Sequence, residues 1–186
     1  MWCKTLEPAP SWALAHVDTR PQYKGLRAAA ICPQGAGYMI HESGRWSDEH
    51  KMWFFAPRKL SRQPYDEVVD ASKCVNLMLA APEPLPEDGT GVIMQSYLGF
   101  SELRGCSDFI FVPGTHDCHV FMIRTEETLD NVISTYASVI DLEGKILMAE
   151  TLIARARKFE GVCNLGGFQH FEGECAPATA GECVVS

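Results

Sequence analysis

"GCSDFIFVPGTHDCHVFMIRTEE", residues 105–127, sets two apolar runs rich in Phe, Ile, Val and Met on either side of the turn cluster "VPGTHD". Such a pair predicts strands over 107–112 and 118–124, because β-branched and aromatic runs fit a pleated surface and Pro, Gly and Asp break it. The cadence continues in both directions. Strands are predicted at 37–41, 52–56, 75–80, 91–98, 133–141 and 145–149, with "PEDGTG" and "DLEGK" as turns. Short strands at this spacing mean an all-β sandwich, barrel or propeller. "YKGLRAAA" at 23–30 reads as one or two helical turns after an irregular opening of 22 residues. "TLIARARKFE" at 151–160 has helix-forming residues, but its context favours a strand followed by a connection. The division is therefore a β domain over 1–165 and a low-complexity tail of Gly, Ala and small polar residues over 166–186.

The chain has 186 residues, of which 46% are hydrophobic and 10% aromatic, enough for one domain with a real core. A net charge of -8 excludes a surface built for nucleic acid or anionic membrane, which needs a basic patch. Small ligands and divalent cations fit that charge better. No apolar run approaches the roughly 20 residues that span a bilayer, and no signal peptide is readable at the start. Eight cysteines (Cys3, Cys32, Cys74, Cys106, Cys118, Cys163, Cys175 and Cys183) include no Cys-x-x-Cys pair, which removes zinc-ribbon and thioredoxin readings. Disulfides and scattered buried thiols both remain open. A Walker sequence is absent, so nucleotide hydrolysis here would not be of the P-loop kind.

Three stretches share a shape: "IHESGRW" around Glu42, "GCSDFIFVPGT" around Ser107 and "RKFEGV" around Glu160. Each puts one oxygen-bearing side chain at the edge of an apolar strand, at separations of 65 and 53 residues. Taken alone, Glu42 is a solvated edge carboxylate or one that needs a cation, Ser107 a turn serine, and Glu160 a surface partner of Arg157 or Lys158.

The blocks "HESGRWSDEHKMWFFAPRK", "GCSDFIFVPGTHD" and "ARARKFEGV" resemble the C-terminal part of the soluble calcium-activated nucleotidase, or apyrase, family, from about Tyr23 to Val162. The resemblance implies a five-bladed β-propeller, here a partial one of about three blades with the N-terminal blades missing. It implies one Ca2+ held by Glu42, Ser107 and Glu160, and release of phosphate from nucleoside diphosphates and triphosphates of the UDP, GDP and ADP type. Hard oxygen donors suit calcium, which takes 6 to 8 of them. Arg58 is the expected phosphate contact and charge stabiliser, with Lys59 and Asn76 as further substrate contacts; a strand-capping arginine and a strand-end amide are the plainer alternatives. The resemblance also implies the secretory pathway, with membrane association only through an N-terminal segment. A nucleotide substrate and a second copy of the chain, as a homodimer, are the partners it admits. The competing reading is a non-catalytic propeller remnant or binding module.

Overall fold

The computed structural model describes residues 20–31, 37–71, 73–128 and 133–165, so the predicted tail and the opening 19 residues lie outside the described residues. Within them run helix α1 (Arg20–Ile31), strands β1 (Tyr38–Ser47) and β2 (Met52–Ser61), a single helical turn α2 (Glu67–Asp70), and strands β3 (Leu77–Pro82), β4 (Ile93–Ser96), β5 (Arg104–Phe111), β6 (His119–Glu127), β7 (Ile133–Asp141) and β8 (Ile146–Arg155). Each predicted strand has its counterpart. The segment 151–160 is strand to Arg155 and connection beyond, as its context suggested. The helix is longer than predicted because Pro21 sits in its first turn, where a missing N–H costs nothing. The short α2 is held by Asp66, whose carboxylate accepts from the amides of Val68 and Val69.

All neighbouring strands are antiparallel and sequential, giving two four-stranded sheets, β1-β2-β3-β4 and β5-β6-β7-β8. About three blades were expected; the described residues form two sheets, and no ring closes among them. The first strands of the two sheets, β1 and β5, pack against each other.

Strand alternation decides which side chains fill the space between the sheets. Phe54, Ala56, Met78 and Ala80 from the first sheet meet Cys106, Phe109, Val120, Met122 and Ile140 from the second. Their neighbours Phe55, Leu79 and Ala81 point the other way and are covered by Leu26 and Ile31 of α1. The first sheet is therefore buried on both faces, which explains the near-continuous apolar run of its middle strands. Fully burying a side chain such as Phe109 or Met122 contributes about 1.5–3 kcal/mol.

Three register breaks matter most for the site. Along β1 and β2, Ile40 faces Lys59, His41 faces Pro57 and Ser43 faces Ala56, so the pairing steps over Arg58 on one strand and Glu42 on the other. In β5, Cys106 faces Arg124 and Asp108 faces Ile123, so Ser107 is stepped over in the same way. Such bulges kink a strand and re-aim the extra side chain.

Candidate functional site

The three bulged residues meet beside the β1–β5 contact. Arg58 reaches out of β2 into the second sheet with only 5% of its surface exposed. Its Nη1 donates to the Gly105 carbonyl at 3.3 Å, Ser107 Oγ at 3.2 Å and Thr125 Oγ1 at 2.6 Å. Its Nη2 donates to the Thr125 carbonyl at 3.4 Å and to Glu127 Oε1 at 2.8 Å. Glu42 Oε2 lies 3.7 Å from the same Nη1. Gly105 makes room for this arginine: a Cβ there would sit 2.4 Å from Arg58 Cγ and 3.1 Å from Cys74 Sγ.

The second cation is Lys158. Its Nζ stands 3.2 Å from Glu160 Oε1, 3.2 Å from Glu127 Oε1 and 3.6 Å from Glu42 Oε1. Burial alone would lower the Lys158 pKa, but the Glu42 charge and the hydrogen bonds to Glu160 and Glu127 outweigh it and raise the pKa. His41, next to Glu42 in sequence, supplies no charge. Burial against Tyr23 and Phe55 pushes its pKa down to about 4.

The segment that carries Lys158 and Glu160 has no regular structure, yet it is fastened at both ends. Thr135 Oγ1 donates to the Arg157 carbonyl at 2.7 Å and accepts from the Phe159 amide at 3.2 Å. Asp108 Oδ2 accepts from the Val162 amide at 2.9 Å and from Arg45 Nη2 at 2.8 Å. Glu160 is presented between these two clasps.

Arg58 links Ser107 with Glu42, Lys158 links Glu42 with Glu160, and Thr125 and Glu127 join the same cluster. Ser107 and Thr125 hydroxyls lie 2.7 Å apart. Thr125 and Glu127 share one face of β6, the strand beside Ser107, and that i, i+2 spacing is the sequence signal that could have found them. Lys59 and Asn76 lie outside the cluster. Lys59 Nζ donates to the carbonyls of Asp70 and Ala71 at 2.7 and 2.8 Å. Asn76 accepts from Arg124 Nη2 at 2.6 Å and donates to the Phe100 carbonyl. Both side chains are committed to joining loops and strands.

As a donor set, two carboxylates and a hydroxyl, with Glu127 as a third carboxylate, are hard oxygens that fit calcium chemistry. Among the described residues, however, no group of three or more His, Cys, Asp or Glu stands ready around a metal position. The oxygens close on Arg58 and Lys158 instead.

The apyrase family profile matches residues 1–164. The chain is 32% identical over 162 residues to apyrase apy-1 of Caenorhabditis elegans, covering 87% of this chain and 44% of that protein. It is 35% identical to soluble calcium-activated nucleotidase 1 of Rattus norvegicus, covering 81% and 36%, and 36% identical to an apyrase of Cimex lectularius, covering 87% and 42%. The chain thus spans less than half the length of these relatives. On the match along nearly all its residues, the chain belongs to the apyrase family.

Proposed function

We propose that this chain carries part of the site of a calcium-dependent nucleotide phosphohydrolase, in which Glu42, Ser107 and Glu160 hold the ion. The observation that carries this reading is the convergence of those three residues, two delivered by equivalent bulges at the first strand of each sheet and one by the clasped segment after β8. Calcium, when bound, would supply positive charge for the phosphate oxygens. Arg58 orients Ser107 and Glu127 and adds a buried positive charge close to where phosphoryl charge would shift. Lys59 and Asn76 have roles in the fold on this reading, given their partners. The substrates are nucleoside diphosphates and triphosphates. Two four-stranded meanders with adjacent first strands have the make-up of neighbouring propeller blades. The disulfide-bonded state of Cys118 supports an oxidising, secretory compartment.

The test joins calorimetric titration with Ca2+ to phosphate release from ADP, GDP and UDP. Glu42→Ala and Glu160→Ala should each weaken calcium affinity by about tenfold or more, since each removes a charged ligand. Unchanged affinity in both would refute the ligand assignment. Calcium binding without phosphate release would favour the binding-module reading.

A further inference from the structure

The carboxylates of this site already have a cation. Lys158 Nζ contacts one oxygen each of Glu42, Glu127 and Glu160, and Glu127 shares that same oxygen with Arg58. An ammonium group has three N–H donors, and here three carboxylates surround it. The lysine is no stray surface group: its side chain is 24% exposed, and the Thr135 clasp holds its backbone neighbours Arg157 and Phe159 on either side. The donor oxygens therefore converge on the ammonium and leave no open centre of three such ligands among the described residues.

The two positive groups differ in what they can do next. Arg58 is buried and bonded through both Nη groups to protein oxygens. Lys158 is a compact charge on a flexible four-carbon stem, and its polar contacts are all made by the Nζ. A divalent ion arriving at Glu42 and Glu160 meets a like charge on the same oxygens, in a partly desolvated place where that repulsion is strong. One of the two cations must leave, and only Lys158 is free to swing away.

We propose that Lys158 is the resident counter-ion of the site, displaced from Glu42 and Glu160 when a divalent cation binds, so that it sets the cation concentration at which the site loads. The inference rests on the calcium reading given above. It makes the clustered carboxylates tolerable without metal and raises the cation concentration needed for half-loading.

Calorimetry with Ca2+ alone on the full chain tests it, comparing wild type with Lys158→Met, Lys158→Gln and Lys158→Arg. Removing the competing charge should tighten calcium binding about tenfold or more in the Met and Gln variants, while Arg should stay within about threefold of wild type. A lysine with only a structural role would give the opposite sign. Thermal melts give a second readout. Without calcium the Met and Gln variants should melt below wild type, and calcium should raise their melting temperature by more than it raises that of wild type. A Met variant that folds only on adding calcium supports the proposal for the same reason. If wild type binds calcium and both neutral variants bind it equally or more weakly, the counter-ion role is overturned while the calcium reading stands. If neither wild type nor the neutral variants bind, both fall.

Discussion

Replacing Arg58 with Met tests whether this arginine organises the site or only waits for phosphate. The Met side chain fills much of the buried channel but donates nothing, so the carbonyls of Gly105 and Thr125 lose a donor. Thr125 Oγ1 and Ser107 Oγ lose one too, although they keep each other at 2.7 Å. Each buried acceptor left unpaired costs about 1–3 kcal/mol. Glu127 and Glu42 are 41% and 31% exposed at the side chain and retain Lys158 nearby, so water and that ammonium limit their share. The net cost is about 3 kcal/mol, which for a domain of this size lowers the melting temperature by about 6–12 °C. Arg58→Lys keeps the charge and loses the planar fork, and should cost about half as much. Far-UV circular dichroism melts and guanidinium midpoints measure both. A Met variant melting within about 2 °C of wild type would refute the organising role, since a residue held only for phosphate could be removed without loss of stability.

Other perturbations follow from the same geometry. Gly105→Ala places a Cβ 2.4 Å from Arg58 Cγ and should destabilise by about 1–3 kcal/mol in the same melts. Asp108→Ala removes the acceptor for the Val162 amide and for Arg45; hydrogen exchange at Val162 should speed up about tenfold or more, whereas Asp108→Asn, which keeps an acceptor, should show less. At pH 8 an alkylating reagent should label exposed Cys163 and spare Cys74 and Cys106 until denaturant is added, as read by peptide mass mapping. Burial raises the pKa of both spared thiols, that of Cys106 to about 12 from 9.0. A pKa raised on folding stabilises the fold below the unfolded value, so melting temperature should fall as pH climbs from about 9 towards 12.

The strands were legible because Phe, Ile, Val and Met runs between Gly and Pro turns leave few alternatives, and β7 (Ile133–Asp141) has the predicted bounds. The ends of β1 and β2 were not. Their second halves run through Glu42, Gly44, Arg45 and Pro57-Arg58-Lys59, residues that break an apolar pattern yet stay in the ladder. Pro57 was the available clue, since a proline cannot donate to a ladder and inside a sheet it marks an edge or a bulge. Glu42, Ser107 and Glu160 are assigned through a resemblance and a loose spacing. Thr125, Glu127 and Lys158 were missed as site residues because their roles depend on which strand lies beside which, and a pairing order is not written in one strand's pattern.

The bulges account for why acids and hydroxyls can sit at that depth. A regular strand offers two faces, and in β5 one of them, with Cys106 and Phe109, faces the apolar filling between the sheets. A polar side chain on that face needs a partner, as Ser43 of β1 has in Cys106, or it costs a few kcal/mol. Inserting one extra residue turns Glu42 and Ser107 out of both faces and towards the meeting line of the first strands, and the bulge at Arg58 sends a cation to the same line. The core keeps its alternation and the site gains three polar groups. Deleting Ser107 would test this: the pairs Cys106–Arg124 and Asp108–Ile123 would become consecutive, Cys106 and Phe109 would keep the core face, and the sheet should stay close in stability to Ser107→Ala, which keeps the bulge and removes only the hydroxyl. A deletion variant melting far below the alanine variant would show that the bulge serves the core rather than the site.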